Sequence, residues 1–207
     1  EGYLKDGERH SLTIFDKPEP LTGPYFEETI YVTPSDLDNN IQQSIKQTVQ
    51  QACEIYGLKT GPIHAELRID EHNKPWILEV ARRTIGGDCA RTLDSDDGFN
   101  IEELTIALAM NRDYKNNKNE GYHGVMMMPI KKGGILRRVE GLSEARNVEH
   151  IESVDIIVRE GNELIPLPEG NQYPGYIFAR ADSQKKIISA LMDAFSKLDI
   201  VVAPVIR

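Results

Sequence analysis

Apolar positions in the chain switch between a period of two and a period near 3.6, and each switch marks an element. Glu1–Leu4 and Arg9–Phe15 read as strands on either side of Asp6-Gly7, a two-residue hairpin signal. Three prolines and a glycine between Asp16 and Pro24 exclude regular structure there, and Phe26–Val32 returns to strand. Thr33-Pro34-Ser35-Asp36 supplies helix-start chemistry. Ile41, Ile45, Val49, Ala52, Cys53 and Tyr56 then keep the helical spacing, with Gly57 as the C-terminal stop. Ile63, Ala65, Leu67 and Ile69, then Trp76, Leu78 and Val80, alternate around Glu71-His72-Asn73-Lys74 and predict an antiparallel hairpin. Asn100 with Glu103 forms a capping box for a helix over Ile101–Met110.

The asparagine-rich stretch Asn111–Gly121 reads as a linker, and strands dominate beyond it. Gly124–Ile130, Ile135–Glu140, Val154–Arg159, Glu163–Leu167 and Gly175–Ala181 are short and bounded by turns. A short helix near Ser143–Glu149 and a longer one over Ser183–Leu198 interrupt them; the longer one lines up Ile187, Leu191, Ala194, Phe195 and Leu198. The fold class is α+β, mostly antiparallel sheet with packed helices, in two lobes: residues 1–112, a linker over 113–123, and residues 124–207.

Composition narrows the function. Of 207 residues, 24 are Lys or Arg and 33 Asp or Glu, a formal charge of −9 that argues against general nucleic-acid binding. No apolar run reaches the roughly 18 residues of a membrane span. Two cysteines, Cys53 and Cys89, make no disulfide framework and suit a reducing cytoplasm. A start without Met, already inside a strand, raises the expectation of a C-terminal piece of a longer polypeptide.

The 63–81 hairpin carries the chemistry. With a four-residue loop at 71–74, Asp70 pairs with Pro75, Arg68 with Ile77, Glu66 with Glu79 and His64 with Ala81. Opposed side chains hold their Cβ atoms about 4.5–5.5 Å apart, and like charges there repel. Two readings stay open: a solvated charged face, or a divalent cation between two hard oxygen donors. Arg82-Arg83, followed by Gly86-Gly87, adds a phosphate- or carboxylate-binding fork beside these carboxylates, and neighbouring arginines point to opposite sides, so one of the two is a surface charge.

The segments Gly61-Pro62-Ile63-His64-Ala65-Glu66-Leu67-Arg68 and Trp76-Ile77-Leu78-Glu79-Val80-Ala81-Arg82-Arg83-Thr84-Ile85-Gly86-Gly87 resemble the metal-binding core of the ATP-grasp superfamily. Phe15-Asp16-Lys17-Pro18 and Gly23-Pro24-Tyr25-Phe26-Glu27-Glu28 resemble its carboxylate–amine ligase branch, which includes the L-amino-acid ligases, and Gly124–Ala181 with the next helix is similar to the C-terminal lobe of those enzymes. The resemblance implies the second half of an ATP-grasp domain over 1–112 and a C-terminal β-rich lobe over 124–207. It implies ATP and Mg²⁺ as cofactors, with Mn²⁺ as a substitute. Glu66 and Glu79 fall on the metal-binding glutamates, Arg83 on the arginine that meets transferred phosphate, and His64 on a substrate contact. Ala81 stands where the family carries an asparagine as third metal ligand. The nucleotide-covering glycine loop of the N-terminal lobe has no counterpart here; Lys131-Lys132-Gly133-Gly134 reads as a hairpin turn. Implied partners are a small-molecule carboxylate and amine, the N-terminal lobe of the same protein, and a second copy in a homodimer, with no nucleic acid and no membrane.

Other features weigh less. His10, His64, His72, His123 and His150 lack zinc-ligand spacing, Cys89 reads as a small buried hydrophobe, and Met126-Met127-Met128 reads as core. Asp16 and Lys17 fit either a substrate-covering loop or a structural turn. Three functions follow for testing: an amide-forming ligase, a bicarbonate-using carboxylase or carbamoyl-phosphate-synthase-like enzyme, and a non-catalytic binding module.

Overall fold

A computed structural model describes residues 1–19, 27–94, 100–114 and 120–205. In chain order the elements are β1 (Gly2–Lys5), β2 (Glu8–Ser11), β3 (Ile30–Thr33), α1 (Asn39–Ile55), β4 (Gly61–Ile69), β5 (Pro75–Ala81), a 3₁₀ turn (Cys89–Leu93) and α2 (Ile101–Ala109). They continue with β6 (Tyr122–Met127), β7 (Gly134–Glu140), α3 (Leu142–Arg146), β8 (Ile151–Ile156), β9 (Glu163–Leu164), β10 (Gly175–Ala181), α4 (Gln184–Lys197) and β11 (Asp199–Ala203). Gly23–Phe26 of the ligase-like motif and the middle of the Asn111–Gly121 linker lie outside the described residues. Among the described residues no helix is long and apolar enough to cross a membrane.

The chain divides into two compact units, the first formed by Glu1–Phe15 with Pro34–Glu120. Its antiparallel sheet runs in the order β2-β1-β4-β5. Asp6 and Gly7 both take positive φ, 55° and 87°, the backbone that a tight two-residue hairpin needs and that the Asp-Gly pair predicted. Ile45, Val49 and Cys53, one helical turn apart, form the buried stripe of α1. Val49 and Cys53 pack with Leu4 of β1 and Ile63 of β4 in one apolar cluster.

The helix begins later than the Thr33–Asp36 signal predicts. Thr33 is still strand, and the Ser35 hydroxyl accepts from Leu37 N at 3.1 Å, capping a turn instead; Asp38 is the residue before the helix. The capping box on α2 is half as expected. Asn100 Oδ1 accepts from the backbone N of Glu102 and Glu103, but Glu103 does not reach back. The Tyr114 hydroxyl relays that return, accepting from Asn100 N at 3.2 Å and donating to Glu103 at 2.9 Å.

The second unit joins Asp16–Thr33 to Gly121–Arg207. A single sequence boundary between residues 112 and 124 leaves 16–33 with the first half, whereas the β3–β6 ladder ties it to the second. One sheet runs β3-β6-β10-β8, and a smaller one runs β11-β7-β9. Helix α4 covers the larger sheet. Gly124 makes this close approach feasible: a Cβ there would overlap Ile187 and lie 3.3 Å from Leu191. Ile187, Leu191 and Ala194 then share a core with Val32, Met126, Met128 and Ile177. Met126, Met127 and Met128 are all buried, as core assignment expects. The smaller sheet has its own cluster around Leu136, Val158 and Leu164.

Two expectations fail here for one reason, strand partners chosen at long range. The Lys131–Gly134 stretch is not a hairpin turn, because β6 and β7 lie in different sheets and the segment crosses between them. Asp199–Ala203, to which the sequence pattern assigns no element, becomes β11 by pairing with β7.

Replacing Leu191, fully buried, with Ala is expected to cost about 2–5 kcal/mol in urea unfolding. The same change at its neighbour Met192, 47% exposed, should cost under about 0.5 kcal/mol. Equal losses at the two positions would contradict the packing of α4.

Candidate functional site

The β4–β5 hairpin sets out the candidate residues. Glu66 pairs directly with Glu79, and His64 with Ala81, so all four side chains leave the same face of the sheet. The expected register holds only on this side of Leu78. Leu78 is bulged, so Leu67 pairs with Ile77, Arg68 with Trp76 and Ile69 with Pro75, one step away from the predicted Arg68–Ile77 and Asp70–Pro75 partners. The turn explains the slip. Asp70 Oδ1 accepts from the backbone N of His72 and of Lys74, each at 2.9 Å, Asn73 takes φ 60°, and the loop takes in Asp70 as a fifth residue. Asp70 Oδ2 also accepts from Trp76 Nε1 at 2.8 Å, which holds that ring on the outside with Lys74 Nζ 4.2 Å from its centroid. These bonds hold the Asp70 carboxyl below its ordinary pKa, the Trp76 bond most of all.

Each glutamate has its own cation. Arg83 Nη2 donates to Glu79 Oε1 at 3.0 Å, with both side chains about half exposed. His64 Nε2 lies 3.2 Å from Glu66 Oε1, and its Nδ1 bonds the Glu1 carboxylate. Burial works against a charged imidazole, but hydrogen bonds to Glu1 and Glu66 outweigh it and raise the His64 pKa to about 9. At neutral pH the ring is therefore an imidazolium donating to two carboxylates. Glu1 Oε2 also accepts from Ile85 N at 3.2 Å.

Arg82 and Arg83 part company, as adjacent residues at a strand end should. Arg82 turns to the Thr60 carbonyl, 3.1 Å from its Nε, while Arg83 joins Glu79. Beyond them Gly87 and Asp88 take positive φ, and Cys89 is buried with its thiol directed at Gly87 O. The hairpin thus brings together His64, Glu66, Glu79 and Arg83. Among the described residues no group of three or more His, Cys, Asp and Glu side chains is arranged to hold a metal, so a cation here would rest on the glutamate pair and on exogenous oxygens.

Sequence reasoning missed Glu1, which reaches His64 only because β1 pairs with β4 at Gly2–Ile63. Asp16 and Lys17 lie in the second unit. Asp16 bridges Val32 and accepts from Gln184 at 2.8 Å; Lys17 Nζ lies 2.5 Å from Glu28 Oε1, and Tyr31 donates to the other oxygen of Glu28.

Because its folded pKa lies above the unfolded value near 6.5, His64 stabilises the fold fully below about pH 6.5, and that stabilisation fades as pH rises through 9. Titration of the ring by NMR should give a midpoint near 9, and in His64→Gln the loss of stability between about pH 6.5 and 9 should disappear. A midpoint near 6.5 would contradict the two-carboxylate clamp.

Residues 1–92 match the ATP-grasp domain family, and residues 126–203 match the L-amino acid ligase C-terminal domain 2. Alanine–anticapsin ligase of Bacillus subtilis (strain 168) is 30% identical over 106 residues, which make up 51% of this chain and 22% of that protein. The L-amino acid ligase structure from Bacillus licheniformis superposes on 98% of this chain and 50% of its own, with a TM-score of 0.83 at 25% identity. Phosphoribosylglycinamide synthetase from Anaerococcus prevotii shares the fold, with a TM-score of 0.79 at 15% identity over 98% of this chain and 52% of that one. The chain spans about half the length of the solved structures it matches. The order of the two matches, an ATP-grasp domain followed by the C-terminal domain of L-amino acid ligases, makes this chain similar to the ATP-grasp amino-acid ligases.

Proposed function

We propose that this chain is the metal- and phosphate-handling part of an ATP-dependent carboxylate–amine ligase. In that reaction a carboxylate oxygen attacks the γ-phosphorus of ATP and ADP leaves. An amine nitrogen then attacks the acyl carbon, phosphate leaves with the bonding electrons, and the nitrogen gives up a proton. The observation that carries the reading is Glu66 directly opposite Glu79, with Arg83 bound to Glu79.

The pair fits a hard divalent cation: two carboxylates on one face, Cβ atoms about 4.5–5.5 Å apart, leave the other coordination positions to water and phosphate oxygens. Glu66 and Glu79 would hold Mg²⁺, or Mn²⁺ in its place, which when bound supplies charge neutralisation at the transferred phosphate. Ala81, on the same face, adds no donor atom. Arg83, half exposed, offers a permanently charged fork to the phosphoryl group. His64 is 6% exposed with both ring nitrogens engaged, which suits a positioning residue that fixes the Glu66 carboxylate rather than one that meets substrate. The L-amino-acid-ligase match over 126–203 favours an amine acceptor over bicarbonate. Small-molecule amino acids in a cytoplasmic setting suit this chemistry, and both cysteines are free.

In the complete ligase, Glu66→Gln or Glu79→Gln should lower ATP-dependent phosphate release by about 100-fold or more without loss of fold. Ala81→Asn should lower the Mg²⁺ concentration needed for half-maximal turnover. Full activity in Glu79→Gln would overturn the metal assignment, and release that needs bicarbonate but no amino acid would move the reaction to the carboxylase class.

The 207-residue chain alone is expected to be silent in the same assay, because positioning of both reactants is most of what such enzymes contribute and the solved relatives are about twice as long. Phosphate release at rates typical of intact enzymes would refute this.

A further inference from the structure

The second unit holds a cavity of about 150 Å³ that the ligase reading does not use. Glu27, Ile130, Ile165, Leu167, Asn171 and Tyr173 line it. A volume of about 150 Å³ between Leu, Ile and Phe side chains is enough to admit benzene. Ile165 and Leu167 are left 40% and 38% exposed, large apolar side chains that the protein covers only in part. The walls are preformed. Gly170 N donates to Pro166 O at 2.9 Å, and a Cβ at Gly170 would collide with the Ile165 carbonyl, so this loop has one close-packed course. The Tyr173 hydroxyl donates to Glu28 O at 3.4 Å, and its ring tilts against Tyr176, which in turn meets Phe178, each pair 6.3 Å between centroids.

Glu27 is the charged group of the cavity. Its neighbour Glu28 is committed to Lys17 and Tyr31, whereas Glu27 meets the apolar and aromatic wall. Partial burial pushes its carboxyl above the ordinary pKa. A partly buried carboxylate in one cavity with an aromatic ring and aliphatic side chains is the chemistry that recognises an organic ammonium.

We propose that this cavity binds a small primary ammonium carrying one compact apolar group, with its charge held at Glu27 and its apolar part between Ile130, Ile165, Leu167 and the Tyr173 ring. The site stands apart from the metal assignment and does not depend on it.

Benzylamine is a suitable probe, and benzyl alcohol is its neutral match in shape. Titrated calorimetrically into the 207-residue chain, benzylamine should bind with a Kd near about 1 mM. Benzyl alcohol, and benzylamine with Glu27→Gln, should each bind at least about tenfold more weakly. In methyl NMR spectra the saturating shifts should centre on Ile130, Ile165 and Leu167. Absence of saturable benzylamine binding, equal affinity for benzyl alcohol, or shifts centred elsewhere would each overturn the proposal. The two-probe comparison needs no variant, so a Glu27→Gln protein that failed to fold would leave the test intact.

Discussion

Two glutamates held face to face across one hairpin set the terms for the first unit. Neutral side chains at Glu66 and Glu79 would leave the strand pairing intact and remove a repulsion; keeping both carboxylates obliges the surroundings to supply positive charge. That charge comes from two directions with different physics. Arg83 neutralises Glu79 in the open, where water screens the pair and the net gain is small. His64 neutralises Glu66 from a buried position, where an imidazolium persists only because a second carboxylate, Glu1, faces its other nitrogen. The exposed arm is therefore easily redirected to a ligand, and the buried arm is not. Such a division suits a site with one adaptable cation and one fixed carboxylate.

The hairpin works because it is irregular. Asp70 is taken into the turn by its own side-chain bonds, which alone would shift every pair beyond it by one residue and send Glu66 and Glu79 to opposite faces. The bulge at Leu78 restores the step. Turn and bulge compensate, and the glutamates oppose each other as a simple four-residue loop would have arranged, for a different reason. The consequence shows on the far side of the bulge, where Trp76 and Leu78 are exposed while Val80 packs on the core. The second unit rests on a different constraint, the close seating of α4 over Gly124, which lets a chain segment from before α1 close the sheet as β3.

Elements and the pairing of Glu66 with Glu79 were legible in the sequence because they are local: side-chain period, the Asp6-Gly7 turn, and the distance from residue 66 to residue 79 are all set within short stretches of chain. The family resemblance rested on the same short stretches, and it reached Arg83 and His64 without any geometry. What the sequence determined by itself was thus the type and order of most elements and the pairing of Glu66 with Glu79. The tertiary structure decided which strands meet and what each ionisable group faces. Glu1 finds His64 across 63 residues of chain, β11 exists only opposite β7, Lys131–Gly134 crosses between sheets, and residues 16–33 join the second unit. None of these leaves a local trace, because a backbone hydrogen bond carries no residue identity, and a carboxylate takes its chemistry from whatever the fold places opposite it.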